Sequence, residues 1–352
     1  MDSTTPNVLI MSASDPTSGA GMQADIQTVS SLGCHPLTVL TGLTVQDTKG
    51  VHHVSPVESK LFAAQAQTIL GDSKVDLIKC GMLSSEENIR MLANLLNEYP
   101  NIPVVLDPIM ASGRGDELTS ESMRQLMIEL ILPRVTILTP NIMEARQLVK
   151  LDDQVKEISI DEAAKRLLAT GCENLLITGT HDVTDDVVNR LYLSDGETES
   201  YAWKRLPHEY HGSGCTLASA IAAYVAQGLS LKQAVEEGQD FTWHTLDAAI
   251  QTGQGQMNSV AVSIDARNIQ ADLANFSDIV NQLDRKQCQL EIIYLDAHSD
   301  TLLTRFSATR RKHPLTGPDV PLLEAIDREK GVLQHIADMA DLTVDTTHLS
   351  MH

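Results

Sequence analysis

The feature that most constrains the fold of this 352-residue chain is an alternation of two kinds of segment. Short apolar or β-branched runs, typical of buried strands, alternate with longer runs that have the spacing of amphipathic helices. The predicted strands cover residues 7–14, 36–46, 75–83, 102–110, 135–141 and 174–180, and the predicted helices cover 19–33, 59–72, 86–99, 122–131 and 160–171. Such alternation predicts an α/β fold with a mostly parallel central sheet and helices on both faces.

The segment after these elements has the pattern of a β-hairpin. Asp195 and Gly196 lie between two strand-like runs in "VVNRLYLSDGETESYAWKRLP", and an Asp-Gly pair in such a place favours a tight turn. Gly171 is the expected stop of the helix that precedes the last predicted strand. Two further helices are predicted over residues 216–228 and 231–251.

The composition changes near residue 258. The polar, glycine-rich "GQGQMNS" is followed by a new apolar strand, "VAVSIDARN", and then by a strand "QLEIIYLDA", a basic segment "TRFSATRRKHPL", a helix "LLEAIDREKGVLQHIADMA" and a strand "DLTVDTT". We therefore predict two domains, 1–258 and 259–352. The basic segment contributes a cluster that could bind phosphate or form a solvated face: Arg305, Arg310, Arg311, Lys312 and His313.

Charge and cysteine content narrow the class of protein. The formal net charge is −21, which repels polyanions, so we expect no nucleic-acid partner. The 5 cysteines are scattered and form no CxxC pair, which favours reduced thiols. The first residues lack the pattern of an export signal, and no apolar run approaches the roughly 20 residues of a membrane helix. We expect a cytoplasmic protein with no membrane contact.

The stretch "HGSGCT", residues 211–216, precedes one of the predicted helices. Gly212, Ser213 and Gly214 would present free backbone N–H groups at a helix N-terminus, which is an arrangement that holds anions. Cys215 would lie in the first turn, where the thiol pKa is lowered and a thiolate could act as general base. The same residues also fit a glycine turn with a small buried cysteine, or a covalent nucleophile.

Oxygen-bearing side chains lie at or just after the ends of the fourth and fifth predicted strands, at the sheet edge where ligands of open α/β folds bind. Asp107, Asn141 and Glu144 could serve Mg²⁺ together with phosphate oxygens. Asn141 and Glu144 also have the spacing of a helix N-cap with a capping box. Both interpretations stay open on the residues alone.

A second group of residues could recognise a ring-shaped ligand. The small residues of "SASDPTSGAGMQAD" allow the backbone to approach a ligand closely, and Asp25 lies one helical turn beyond Gly21. Asp25 could bind a ring amine, or it could be an exposed helix carboxylate. Gln46 could pair with the edge of a heterocycle, or it could be a solvated strand end.

Taken together, the motifs "SASDPTSGAGMQADIQTVSSLGCHPLTVLTGLTVQDTKGV", "CGML", "VLDPIM", "TPNIMEA" and "HGSGCTLASAIAAYVAQG" resemble the hydroxymethylpyrimidine/phosphomethylpyrimidine kinase family of thiamine biosynthesis. The likeness covers about residues 7–258. It implies a ribokinase-like three-layer domain that uses ATP and Mg²⁺. The implied reaction phosphorylates 4-amino-5-hydroxymethyl-2-methylpyrimidine and then its monophosphate, and the resemblance also suggests a homodimer.

By position, the resemblance implies three groups of site residues. They are a pyrimidine site (Gly21, Asp25, Gln46 and Met82), a catalytic group with its anion hole (Gly212, Ser213, Gly214 and Cys215), and a nucleotide and metal region (Asp107, Asn141, Glu144 and Thr178). Cys215 would stand where ribokinase-like sugar kinases have an aspartate base. Thr178 departs from the lysine of many members, and Ser213 from their threonine.

The second domain resembles part of the RapZ-type RNase adapter family, which consists of P-loop nucleotide-binding proteins. The likeness covers about residues 260–352, an α/β fragment without the motif GxxxxGK[ST] of the phosphate loop. Nucleotide binding and RNA-related function are therefore not carried over to it.

Two other functions stay open for the chain. One is a pyridoxal kinase-like activity, because related kinases accept both kinds of ring. The other is a non-catalytic regulator, in which an impaired kinase domain binds a ligand on behalf of the second domain. Thr178 and the partial second domain motivate that alternative.

Overall fold

The structure is a computed structural model that describes residues 5–111, 118–149, 158–180, 182, 184–208, 210–249, 257–258, 292–309, 315, 320–340 and 342–347. The chain forms two compact units, Met1–Ala261 and Val262–His352. The division falls close to the glycine-rich segment at which the sequence predicts a domain boundary.

A single large sheet organises the first unit. Its strands are β1 (Asn7–Ser14), β2 (His35–Asp47), β3 (Gly50–Pro56), β4 (Leu77–Cys80), β5 (Val104–Leu106), β6 (Ile137–Leu138), β7 (Leu175–Ile177), β8 (Asp186–Tyr192) and β9 (Thr198–Lys204). They are arranged in the order β3-β2-β1-β4-β5-β6-β7-β8-β9. Pairing is parallel from β2 to β7 and antiparallel at both edges, which confirms the predicted mostly parallel sheet.

Eight helices of this unit are described: α1 (Gly21–Ser31), α2 (Ser59–Asp72), α3 (Glu86–Glu98), α4 (Glu121–Leu126), α5 (Ile142–Val149), α6 (Ile160–Leu168), α7 (Ser213–Ala226) and α8 (Leu231–Asp247). Helix α4 continues as a π-helical turn, Met127–Ile131, and a 3₁₀ turn, Leu132–Arg134. The short pair β10 (Tyr210–His211) and β11 (Met257–Asn258) is parallel.

The sheet has helices on both faces because its central strands are apolar on both sides. In β1, Leu9 and Met11 join a core with α2, α3, α5 and α6, whereas Val8 and Ile10 join a second core with α1, α7 and α8. All four side chains are fully buried. This two-sided burial confirms the predicted three-layer architecture.

The sequence predicts the hairpin at one edge of the sheet but not the strand at the other edge. Strands β8 and β9 form the predicted hairpin, with Tyr192 opposite Thr198 and Gly196 at a φ of 90°. Strand β3 was not predicted. Its residues stay partly or fully exposed at an edge, so its sequence lacks the apolar run that marks the central strands.

The second unit contains a parallel strand pair, β12 (Ile293–Asp296) and β13 (Leu342–Asp345), and helices α9 (Ser299–Thr309) and α10 (Leu322–Ala337). Strand β12, helix α10 and strand β13 agree with the predicted strand, helix and strand, whereas helix α9 was not predicted and runs into the segment that the sequence marked only as basic. The predicted strand "VAVSIDARN" and most of the basic cluster, at residues 310–313, lie outside the described residues. Arg305 donates a hydrogen bond to Thr346 of the same unit. No helix in the described part of the chain is long and apolar enough to cross a membrane.

Candidate active site

A cleft of about 680 Å³ lies at the carboxyl ends of the parallel strands, as expected for an open α/β sheet. It brings together all but one of the site residues that the sequence analysis singles out. Those that line it are Gly21, Gln46, Met82, Asp107, Asn141, Glu144, Thr178, Gly212, Ser213, Gly214 and Cys215. Asp25 is the exception.

The turn into α7 depends on a glycine. Gly212 is the N-cap residue at a φ of 80°, and a Cβ atom there would lie 1.8 Å from the carbonyl oxygen of Gly19. Helix α7 begins at Ser213, three residues earlier than predicted. Its first backbone N–H groups have no partner within the helix and open on the cleft, so the N–H groups that could hold an anion belong to the first turn itself.

Cys215 lies in this first turn with only 6 % of its surface exposed. Its thiol lies close enough to the Asp107 carboxylate and to the backbone N–H of Gly21 for both groups to affect its pKa. Burial, followed by the charge of Asp107, raises the pKa of the thiol well above its usual value. The predicted lowering of the pKa is therefore wrong for the free protein, because desolvation outweighs the helix dipole.

Asp107 follows β5 and is almost fully buried, with 4 % of its surface exposed. Burial raises the pKa of Asp107 to about 6, although the charge of Lys79 opposes the shift. A Cβ atom on Gly214 would lie 3.8 Å from Oδ2 of Asp107, so this carboxylate stands directly against the start of α7.

Glu144 and Asn141 form the helix cap that the sequence allowed. The backbone N–H of Glu144 donates to Oδ1 of Asn141, and that of Asn141 donates to Oε2 of Glu144, both at 2.9 Å. The other oxygen of Glu144 accepts from the backbone N–H of Met110 at 3.2 Å. Burial, and then the charge of Asp107, raises the pKa of Glu144 to about 7. The same carboxylate lines the cleft, so capping does not remove it from the site.

The chemistry of these two carboxyls suits a small, hard cation. The described residues contain no group of three or more His, Cys, Asp or Glu side chains that could bind a metal. Mg²⁺, however, commonly uses one or two carboxylates and completes its shell with phosphate oxygens and water. Asp107 and Glu144 could supply that pair, and a divalent cation would offset both causes of the raised pKa of Glu144, its burial and the charge of Asp107.

Thr178 lies just after β7, where it forms an isolated parallel bridge with Asn141. Its backbone N–H donates to Pro140, and its carbonyl accepts from Ile142. Next to it, the cleft is lined by Arg205, whose guanidinium donates to the carbonyl oxygens of Thr180, Asp182 and Thr184 at 2.8, 3.0 and 3.0 Å. Arg205 thus holds the loop after β7.

Asp25 is fully buried and does not reach the cleft surface. Its Oδ1 accepts hydrogen bonds from Nζ of Lys79 and Oγ of Ser219, each at 2.7 Å. Lys79 is also fully buried. The predicted contact between Asp25 and a ligand ring is therefore corrected, because the carboxylate neutralises a lysine inside the domain.

Gln46 belongs to a hydrogen-bonded group at one end of the cleft. Its Nε2 lies 3.2 Å from Nε2 of His211, which lies 2.8 Å from Oδ2 of Asp15. Asp15 follows β1, Gln46 lies near the end of β2, and His211 ends β10. Three separate segments of the chain therefore meet here.

Sequence reasoning missed four residues of this region: Asp15, Lys79, Arg205 and His211. Asp15 and His211 had a positional signal, because one directly follows a predicted strand and the other directly precedes Gly212. Lys79 stands within the buried run "LIKC". A charge there indicates that a buried partner exists, but only the fold identifies that partner as Asp25.

Residues 15–260 match the family described as phosphomethylpyrimidine kinase, and residues 243–352 match the RapZ-like N-terminal domain. The hydroxymethylpyrimidine/phosphomethylpyrimidine kinase of Streptomyces coelicolor is 37% identical over 258 residues, which cover 72% of this chain and 93% of that protein. The kinase of the same name from Escherichia coli is 33% identical over 251 residues, 71% of this chain and 94% of that protein.

A longer relative is the thiamine biosynthesis bifunctional protein ThiED of Geobacter sulfurreducens, which is 36% identical over 264 residues. The match covers 74% of this chain but 54% of ThiED, so the chain spans about half the length of that relative.

Solved structures share the fold. The pyridoxal kinase of Bacillus subtilis in complex with ADP has a TM-score of 0.65 at 28% identity, covering 73% of this chain and 97% of that chain. The phosphomethylpyrimidine kinase of Clostridium difficile has a TM-score of 0.59 at 30% identity, covering 68% of this chain and 99% of that chain. Because the sequence match spans most of the chain and the fold agrees with it, this protein belongs to the phosphomethylpyrimidine kinase family.

Proposed function

We propose that this protein transfers the γ-phosphoryl group of ATP to 4-amino-5-hydroxymethyl-2-methylpyrimidine and then to its monophosphate, as a step of thiamine biosynthesis. The observation that carries the proposal is the position of Cys215. Its sulfur, at the start of α7, shares one cleft with Gln46 and Met82. A hydroxyl group bound there would lie between a proton acceptor and a helix N-terminus that stabilises a transferred anion.

The ring would bind at the end of the cleft that contains Gln46 and Met82. Gln46 offers an amide that can pair with the polar edge of the ring, and Met82 offers an apolar surface for its face. Gly21 supports a close approach, because its φ is 56° and a Cβ atom there would lie 2.5 Å from the carbonyl oxygen of Ala13.

In the reaction, the substrate hydroxyl oxygen forms a bond to the γ-phosphorus while its proton passes to the sulfur of Cys215. The bond between that phosphorus and ADP breaks, and ADP leaves with its electron pair. Burial disfavours the thiolate that this step needs. The N–H groups of the first turn of α7, the N–H of Gly21 and the charge of Lys79 act in the opposite direction. We therefore expect the rate to rise with pH as the thiol ionises.

The nucleotide would bind beside Asn141 and Thr178, with its terminal phosphate facing Gly212, Ser213 and Gly214. Solved relatives in this fold include complexes with ADP and with AMP-PCP, which supports ATP as the phosphoryl donor. Mg²⁺ bound by Asp107 and Glu144 would supply positive charge for the phosphate oxygens. Positioning and charge stabilisation of this kind account for most of the catalysis in phosphoryl transfer.

The proposal is tested by incubating the purified protein with ATP, Mg²⁺ and each of three acceptors: the pyrimidine alcohol, its monophosphate and pyridoxal. Turnover of the first two supports the proposal. Cys215→Ala should lower kcat about 100- to 10,000-fold, as expected for loss of a general base. Cys34→Ala is a matched control, because Cys34 is a buried free cysteine outside the cleft. Unchanged turnover by Cys215→Ala would remove that residue from catalysis.

A pyridoxal kinase-like activity is the second candidate, and a specific observation favours it. The pyridoxal kinases of Bacillus subtilis and Staphylococcus aureus reach a TM-score of 0.65, against 0.59 for the phosphomethylpyrimidine kinase. Turnover of pyridoxal with none of the pyrimidine would establish this candidate in place of the first. Ligand binding without any turnover would favour the non-catalytic regulator.

A homodimer and a cytoplasmic location stay predictions. The described cysteines Cys34, Cys80, Cys172 and Cys215 are all free and buried, which supports a reducing compartment. Sedimentation at several protein concentrations would test the dimer, and a monomer at high concentration would contradict it.

A further inference from the structure

Three polar side chains at the ring end of the cleft form a connected group. The carboxylate of Asp15 lies 2.8 Å from Nε2 of His211, and the same nitrogen lies 3.2 Å from Nε2 of Gln46. Side-chain exposure is 3 % for Asp15 and 17 % for His211. The group is therefore largely shielded from water, and each hydrogen bond within it constrains the others.

Asp15 can only accept in this group. Its oxygens already accept from the backbone N–H groups of Thr17 and Ala20, at 2.7 and 2.8 Å, and from the hydroxyl of Thr17. The bonds from His211 and Thr17 outweigh burial and lower the pKa of the Asp15 carboxyl. An ionised carboxylate has no proton to donate, so Nε2 of His211 must carry the proton that lies between them.

The proton on Nε2 of His211 determines which atom of the Gln46 amide can face that nitrogen. A nitrogen that carries a proton has no lone pair in the ring plane and cannot accept from the amide NH₂ of Gln46. The oxygen and nitrogen of a glutamine amide are distinguished by their hydrogen-bond partners. The amide atom facing His211 must therefore be the oxygen. Among the described residues the Gln46 side chain has no other hydrogen-bond partner, so its NH₂ group is available to the cleft.

We propose that Asp15 and His211 are positioning residues that hold the Gln46 amide with its oxygen toward His211 and its NH₂ group toward the substrate. The ring edge that binds here must then present a hydrogen-bond acceptor, such as an unprotonated ring nitrogen of an aminopyrimidine. The inference rests on the proposed function, and it adds what sets the polarity of the recognising side chain.

The test is a double-mutant cycle on His211 and Gln46, with binding of 4-amino-5-hydroxymethyl-2-methylpyrimidine measured by titration calorimetry. His211→Phe and Gln46→Leu should each weaken binding roughly 10- to 100-fold, the cost of an unpaired or misdirected polar group. The double variant should bind no more than about threefold more weakly than Gln46→Leu, because His211 acts through Gln46. His211→Gln retains a donor and should recover most of the affinity.

Steady-state kinetics distinguish a positioning role of His211 from a purely structural one. We expect His211→Phe to raise KM for the pyrimidine while kcat and KM for ATP change little. Effects of the two single variants that simply add, or failure of His211→Gln to recover affinity where His211→Phe loses it, would overturn the inference. Pyrimidine binding with the expected coupling but without turnover would refute only the proposed reaction. A wild type that does not bind the pyrimidine would refute both.

Discussion

Replacing Lys79 with methionine is expected to destabilise the kinase unit far more than replacing an exposed lysine. The ammonium group of Lys79 is fully buried and donates at 2.7 Å to Asp25, which is also fully buried. Burial alone would lower the pKa of Lys79, but the charge of Asp25 raises it above its usual value, so Lys79 carries its charge in the folded protein. Methionine keeps the length of the side chain and removes its charge.

The magnitude follows from what Asp25 would lose. In the variant its Oδ1 would retain only the hydroxyl of Ser219, and its Oδ2 has no hydrogen-bond partner among the described residues. Removing one partner of a buried ion pair costs about 3–5 kcal/mol. In a domain of this size each kcal/mol lowers Tm by about 2–4 °C, so Tm should fall by roughly 6–20 °C.

Tryptophan fluorescence provides the assay. The chain has 2 tryptophans, and both Trp203 and Trp243 lie in the first unit, so denaturant unfolding followed at these side chains reports on the kinase unit. The matched control is Lys232→Met. Lys232 forms ion pairs with Glu197 and Glu199 on the surface, where such pairs contribute about 0–1 kcal/mol.

A second substitution tests the reasoning itself. Lys79→Met combined with Asp25→Leu removes both charges, and most of the lost free energy of unfolding should return, because apolar replacement of a whole buried pair is nearly neutral or stabilising. Ser219 can then donate to the backbone of its own helix. A loss below 1 kcal/mol for Lys79→Met, or a double variant that is less stable than either single one, would refute the argument.

Three further predictions follow from the structure. Gly212→Ala should lower both kcat and stability, because its Cβ would meet the carbonyl of Gly19. The control Gly228→Ala has a similar positive φ but no atom within 4 Å of its Cβ, so it should cost only about 1 kcal/mol of stability. Equal losses of activity and unfolding free energy in the two variants would contradict this prediction. The folded protein raises the pKa of Glu144 to about 7, so the folded state holds this proton more tightly than the unfolded state does. The contribution of the Glu144 carboxyl group to stability is therefore present below the unfolded pKa near 4.5 and is lost as pH rises through 7. In chelator-treated protein the wild type should therefore lose up to about 3 kcal/mol relative to Glu144→Gln between pH 4.5 and 8, and a pH-independent difference in unfolding free energy would reject the shift. Ending the chain at Ala261 should leave kinase activity and the unfolding midpoint of the first unit unchanged, since the chain divides there; loss of soluble expression would show that the second unit completes the first.

Sequence pattern was sufficient for the fold because the relevant signals are local. Four consecutive apolar residues in β1, buried on both faces, need a sheet with helices on two sides. The Asp195-Gly196 pair is likewise a local signal, and it predicts the hairpin of β8 and β9. The unpredicted strand β3 shows the limit of such signals, since an exposed edge strand needs no apolar run.

The candidate site was predictable at strand ends and helix starts, and less so where burial decides the chemistry. Gln46 lies near the end of β2, and Met82 and Asp107 follow β4 and β5; a parallel sheet brings strand ends together whatever the packing elsewhere. Cys215 was expected to have a lowered pKa from its place in a helix. In the folded protein it is a desolvated thiol beside a carboxylate, and no local rule contains that information.

By itself the sequence determined the layered α/β architecture, the family, the glycine turn at the start of α7 and the cleft position of all candidate site residues except Asp25. Those properties follow from periodicity and from the order of motifs along the chain. Only the tertiary structure decided that Asp25 pairs with Lys79 inside the domain, and that Asp15 and His211 orient Gln46. These are contacts between distant segments, and the free energy of a charge depends on which partners and how much water surround it after folding.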